Sequence, residues 1–309
     1  MMRPKNILVP TDLSFEADQA LGHAIFLARL FRADVHLLHV MPKESGESRV
    51  EVERVYEEME AVAARRLGMG EGDVLQGEIM LHAQVLQGFE VVGAVLAYTR
   101  RIDADLVVMG TRGRRAKDRP QWQSHAEEIA RLSDSPVLTV GRDAWSYPGV
   151  IQRVLVPVAL RTDSEPVLSV ARRVAHHQNA ELDLLHVVRP SFGLGAGSSG
   201  NGVERQVRER RIIDQMTRAY RNERGPGVRH RFNIRYGEPS EEIVRFAQDQ
   251  RSHLIIVNSR GHVGVQYALD GSHAAAIIGT AGCPVLTLKT NQASAAPALG
   301  PTRQRAIQQ

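Results

Sequence analysis

The chain has 309 residues, with 39 lysines and arginines, 35 aspartates and glutamates, and a single cysteine, Cys283. At roughly 150 residues per domain this length accommodates two domains, each large enough to bury its own core. A hydrophobic fraction of 43% beside 24% charged residues excludes a largely disordered chain, and one cysteine excludes an internal disulfide or a cysteine-built zinc or iron–sulfur centre.

From the N-terminus, the apolar run at residues 6–9 predicts a first strand, which ends in V-P-T-D-L-S with Asp12 directly after it. Residues 16–31 follow as a helix, since Ala17, Ala20, Leu21, Ala24, Ile25 and Ala28 recur three and four apart on one face. Strands are then expected at 35–40, 79–85, 106–109 and 137–140, with helices at 49–67, 91–101 and 124–132 between them. Several of these strands are continuously apolar, the pattern of parallel strands buried on both faces. Strand–helix alternation predicts an α/β fold, an open doubly wound parallel sheet with helices on both sides.

The second half repeats the first. R-A-D-V-H-L-L-H-V ending at Val40 matches N-A-E-L-D-L-L-H-V ending at Val187, and N-I-L-V-P ending at Pro10 matches R-V-L-V-P ending at Pro157. A-D-L-V-V-M-G-T-R-G ending at Gly113 matches S-H-L-I-I-V-N-S-R-G ending at Gly261, and S-P-V-L-T-V from Ser135 matches C-P-V-L-T-L from Cys283. The offset is 147 in the first two pairs and 148 in the last two, so one domain has been duplicated in tandem. The expected units are residues 1–145 and 150–290, followed by a tail at 291–309 without apolar periodicity, expected to be disordered. The Gly/Ser stretch at 190–202 is expected to be a mobile loop.

In such a sheet the ligand crevice lies beyond the carboxyl ends of the strands, at the switch point. Two loops of the first copy reach it: the one carrying Asp12, and G-T-R-G-R-R-A-K-D-R-P-Q-W-Q-S from Gly110 to Ser124. Glycine lets backbone approach a phosphate closely, and the N-terminus of the following helix offers unpaired N–H groups. Arg112, Arg114, Arg115, Lys117 and Arg119 crowd the second loop, a charge suited to a polyanion or simply to solvent.

A strand ending in V-P-T-D, a G-x-x-G turn after the fourth strand, and a Gly-Ser pair nine residues later resemble the universal stress protein (UspA) family, in its tandem two-domain form. The resemblance implies an adenine-nucleotide α-hydrolase-like fold in each half. It also implies bound ATP, with or without Mg²⁺: Asp12 would contact the adenosine portion, while Gly110, Arg112, Gly113 and Ser124 in copy one, and Gly261, Gly271 and Ser272 in copy two, would hold phosphates and ribose. It further implies pairing of the two copies through their last strands, residues 136–140 and 284–288. Each copy departs from the pattern. Gln123 replaces the late glycine in copy one, whereas Asn258 replaces the first glycine and Ala159 the aspartate in copy two.

No P-loop is present, and G-A-G-S-S-G at 195–200 follows the wrong strand for a dinucleotide fingerprint. His39 and His186 stand at equivalent strand ends, as buried or capping groups rather than metal ligands. No nucleophile–base pair stands out, so the expected activity is not enzymatic beyond slow incidental ATP hydrolysis. The expectation is a cytoplasmic stress-response protein in which nucleotide occupancy biases binding of an unidentified protein partner, with homodimer formation open. A net charge of +4 gives nucleic-acid binding no support, and no apolar run approaches the ~18–20 residues that span a bilayer. The alternatives are a nucleotide-free scaffold whose sites have decayed and an ATP pyrophosphatase-type ligase, whose S-G-G-x-D-S loop is missing.

Overall fold

The computed structural model describes residues 4–41, 49–68, 79–87, 90–111, 124–141, 144, 151–160, 165–189, 202–222, 225–258 and 271–289. The loop at 112–123, the Gly/Ser stretch at 190–201 and the tail at 291–309 lie outside these residues. The first half runs β1 (Asn6–Thr11), α1 (Phe15–Phe31), β2 (Asp34–Met41), α2 (Arg49–Gly68), β3 (Leu81–Gln87), α3 (Val91–Arg101), β4 (Leu106–Gly110), α4 (His125–Leu132) and β5 (Val137–Val140). The second runs β6 (Arg153–Pro157), α5 (Glu165–Gln178), β7 (Glu181–Val188), α6 (Gly202–Asn222), β8 (His230–Tyr236), α7 (Pro239–Asp249), β9 (Leu254–Asn258), α8 (Gly271–Thr280) and β10 (Val285–Leu288).

These strands join into one sheet of order β3-β2-β1-β4-β5-β10-β9-β6-β7-β8. Within each half every described pairing is parallel, and the halves meet where β5 and β10 run antiparallel, Leu138 opposite Leu286. Pairing of the last strands, as the resemblance implied, covers an edge that would otherwise template aggregation. Thr139 Oγ1 donates to the Val285 carbonyl (3.2 Å), and the Lys289 ammonium reaches both the Leu132 carbonyl and Asp134 Oδ1 at 2.9 Å. That ammonium holds the Asp134 carboxyl below the usual carboxylate range.

The sheet separates two layers of helices. Ile7 and Val9 of β1, with Val154 and Val156 of β6, face the layer of α1, α2, α5 and α6. Leu8 and Leu155, between them in sequence, face α3, α4, α7 and α8. This alternation explains the continuous apolar runs, because each strand has a core on both sides. Each such fully buried aliphatic side chain contributes about 1.5–3 kcal/mol. α1 begins where Ser14 Oγ accepts from the Ala17 amide and ends at Arg32, whose left-handed backbone closes the last turn.

The third strand departs from its expected span of 79–85. Pairing with β2 starts at Leu81 opposite Val35 and runs on to Gln87 opposite Met41, while Met80 contributes only its carbonyl, to the Val35 amide (2.8 Å). The partner strand, not the apolar run, sets the limits.

Candidate functional site

Strand order reverses between β1 and β4 in copy one and between β6 and β9 in copy two, so two crevices lie at the carboxyl ends of these strands. In copy one the turn from β1 into α1 is held by its own side chains. The Leu13 amide donates to Thr11 Oγ1 (3.0 Å), and the Ser14 amide donates to Asp12 Oδ1 (3.1 Å). Leu13 between them sits at φ +60°. A left-handed leucine costs roughly 1–2 kcal/mol.

The other left-handed non-glycine residues among those described, Arg32, Asp103, Asn179 and Arg251, lie one or two positions past helix ends and form two pairs across the duplication. Leu13 stands apart from them. Its counterpart Leu160 does not adopt this conformation. Behind the turn, His39 Nδ1 donates to the Thr11 carbonyl (2.8 Å), and His186 Nδ1 donates to the Val158 carbonyl at the same distance. Both histidines tie the end of one strand to its neighbour, which is the capping role expected of them. Burial holds the His186 imidazole below its ordinary value of 6.5.

Gly110 ends β4 against the first turn of α1. A Cβ there would stand 2.9 Å from the Glu16 carbonyl carbon and 3.0 Å from the Glu16 Cβ and oxygen. The glycine therefore has a packing reason that needs no ligand. Through this contact β4 and the β1–α1 turn are brought together, so Asp12 and Gly110 share one end of the sheet. Ser124 caps α4, its Oγ accepting from the Glu127 amide (3.2 Å). Arg112 and Gly113 lie outside the described residues.

In copy two Ala159 follows β6 and Asn258 ends β9, while Gly271 and Ser272 open α8. Gly261 lies outside the described residues. Here the structure adds a cluster that the sequence reading missed. The guanidinium of Arg189, just past β7, donates to Glu238 Oε1 (3.2 Å) and contacts His273 Nε2, while His273 Nδ1 stands 3.3 Å from the same Glu238 oxygen. His273 is the residue after Ser272, and Glu238 lies 148 positions beyond Glu90. Glu90 caps α3, accepting from the Val92 and Gly93 amides, whereas Glu238 makes no such cap on α7. The 148-residue offset from Glu90 is the one signal in the sequence that could have marked Glu238.

Among the described residues no group of three or more His, Cys, Asp or Glu could hold a metal ion, and no helix is long and apolar enough to cross a membrane.

The universal stress protein family model matches residues 4–141 and again residues 151–289. A universal stress protein of Methanocaldococcus jannaschii is 29% identical over 144 residues, 44% of this chain and 81% of that protein. YxiE of Bacillus subtilis, also a universal stress protein, is 26% identical over 149 residues, 45% of this chain and all of that one. A crystal structure of a universal stress protein from Archaeoglobus fulgidus superposes with a TM-score of 0.64 at 18% identity, covering 93% of this chain and 96% of its own. A second, from Pseudomonas aeruginosa, gives 0.61 at 16% identity over 94% and 98%.

Proposed function

The chain belongs to the universal stress protein family through both of its halves, and from that premise we propose that copy one binds an adenine nucleotide, ATP with or without Mg²⁺. The observation that carries this reading is the strained β1–α1 turn. Thr11 and Asp12 fix it with their own side chains, Leu13 bears the strain, and the partly exposed Asp12 carboxylate stands at the switch point. Backbone strain of this kind persists where the surroundings impose it and clusters at ligand sites. Asp12 would hold the adenosine portion, while the amides near Gly110, with Arg112, Gly113 and Ser124, would hold phosphates. The nucleotide supplies a charged occupant whose presence orders this loop face, and a protein partner reads the ordered state as a population shift. No group of three or more His, Cys, Asp or Glu among the described residues could hold a metal ion, and hydrolysis slower than about 1 per second is expected.

Copy two supports a different reading, a site without nucleotide. Ala159 has no carboxylate, its turn lacks the left-handed leucine, and Arg189, Glu238 and His273 engage one another at the crevice. Gly261, Gly271 and Ser272 would then be remnants.

Mass spectrometry of the small molecules released from the purified, denatured protein tests both statements. About one adenine nucleotide per chain is the expected result. Asp12→Ala should weaken ATP binding roughly ten- to hundredfold, the value of a hydrogen bond to a charged group, while Gly261→Val leaves it unchanged. Full affinity in Asp12→Ala, or an empty protein that ignores millimolar ATP–Mg, would refute the assignment.

A further inference from the structure

The net charge of +4 hides a split between the copies. Residues 1–145 carry 18 basic and 22 acidic side chains, whereas residues 150–290 carry 19 and 13. The difference is concentrated at the outer edge of each half. From Gly202 to Tyr236, through α6 and the edge strand β8, ten arginines stand against four acidic residues. From Arg49 to Gln87, through α2 and the opposite edge strand β3, four arginines stand against eight. α6 anchors itself through Ile212, Met216 and Tyr220, which are buried, and it is tied to β8 near both ends. Arg205 lies over the Tyr236 ring at 4.8 Å, Tyr236 Oη donates to Glu209 Oε1 (3.0 Å), and Tyr220 stacks on His230 at 4.0 Å. The other arginines of α6, Arg208, Arg210, Arg211, Arg218 and Arg221, are all exposed, and none forms an ion pair among the described residues. Arg208 with Arg211, and Arg218 with Arg221, stand three apart on the helix, where like charges repel. The described structure offers no counter-charge to offset that repulsion.

We propose that the outward face of α6 binds the phosphate backbone of a nucleic-acid duplex without reading its sequence. From Arg208 to Arg221 the helix rises about 20 Å, a length over which each strand of a duplex presents about six phosphates. The planar fork of a guanidinium takes two phosphate oxygens at once. A protein partner fits this surface less well, because such interfaces carry an apolar or aromatic centre. The exposed apolar side chains of α6, Val203 and Val207, sit instead at its N-terminal end. A membrane surface needs an apolar helix face to insert, and that of α6 is spent on the core. A single strand needs open aromatic faces on which its bases stack, whereas the rings beside α6 are engaged with one another or with Arg205. Duplex interfaces are polar and strongly positive, as this row is. The row lies in copy two, beside the strand at the far edge of the sheet, and does not depend on nucleotide binding by copy one.

Fluorescence anisotropy of a labelled DNA duplex of arbitrary sequence, titrated with the full chain at about 50 mM and about 200 mM salt, tests this. If all five arginines neutralise phosphates, the dissociation constant rises about 500-fold between the two salts, a log–log slope near 4.5. Arg210→Gln/Arg218→Gln should weaken binding at low salt and lower that slope by about 1.8, while Arg210→Lys/Arg218→Lys keeps the slope. Arg54→Gln/Arg65→Gln removes the same charge from exposed positions of α2 and should leave the affinity within about twofold. Circular dichroism confirms that each variant is folded. A duplex left unbound by about 100 µM protein at low salt would overturn the proposal. So would a slope unchanged in Arg210→Gln/Arg218→Gln, or an equal loss in Arg54→Gln/Arg65→Gln, which would make net charge alone responsible. Tighter binding of a single strand of the same length, or binding to vesicles of phosphatidylserine and phosphatidylcholine with none to the duplex, would overturn it as well.

Discussion

Gly110→Ala separates two reasons for a glycine at the end of β4, room for a ligand and room for α1. The added methyl would lie 2.9–3.0 Å from three atoms of Glu16, two of them backbone. Carbon contacts are comfortable at roughly 3.5–4.0 Å, so the first turn of α1 or the end of β4 must yield by about half an ångström. Overpacking of this kind costs about 1–3 kcal/mol. Removing glycine's freedom from the unfolded chain returns about 0.4–1 kcal/mol. The net expectation is a loss of about 1–2 kcal/mol, or about 3–6 °C in Tm for a unit of this size. Thermal and urea unfolding of nucleotide-free protein measure it. Asn258→Ala at the matching position of β9 provides the control, because that site already carries a Cβ. If Gly110→Ala unfolds with the wild type in the absence of nucleotide yet loses ATP affinity, the packing explanation fails and the glycine serves the ligand.

Acidification should destabilise the fold below about pH 6.5. Burial holds His36, His186 and His253 below their ordinary value of 6.5, and for His36 the charge of the stacked His82 adds to it. The unfolded chain therefore binds protons first, so the stabilisation is complete above about pH 6.5 and is lost as pH falls through the lower folded values. Melting temperatures between pH 8 and pH 5.5 test this, and a flat profile across that range would refute it; the carboxyls of half-buried Glu127 and buried Asp183, shifted upward by desolvation, act in the opposite sense at lower pH. Cys283 is buried, and burial pushes its thiol up to about 12. Native protein should leave it unlabelled by a thiol-specific reagent over hours, with labelling at the unfolding rate in denaturant; immediate reaction in buffer would contradict its placement in the core.

Much of the architecture was legible because each signal had a single physical cause. Two-sided burial wrote β1, β4, β5 and β9 as continuous apolar runs, and the repeat at 147–148 residues gave the second half from the first. The limits of β3 were not legible, since they depend on where β2 offers its hydrogen bonds. At the candidate site, Asp12, Gly110 and Ser124 were singled out by motif, but the local contacts each one makes were not legible. Leucine does not favour left-handed backbone, so nothing in V-P-T-D-L-S announces Leu13, and only the approach of α1 explains Gly110. The Arg189–Glu238–His273 cluster joins three segments distant in the chain, and only the fold brings them together.

The duplication also distinguishes what the scaffold demands from what it merely permits. Left-handed residues after helix ends occur in matched pairs, Arg32 with Asn179 and Asp103 with Arg251, and so do the tethers from His39 and His186. These features terminate helices or bind strand ends, and losing one would cost stability in either copy. Leu13 has no matched partner, Glu238 joins a cluster where Glu90 caps a helix, and α6 is basic where α2 is not. Divergence thus falls at the carboxyl ends of the strands and on the outer helices. A chain with two equivalent sites would need neither difference. A chain in which copy one alone takes a nucleotide, as proposed, accounts for the difference at the strand ends.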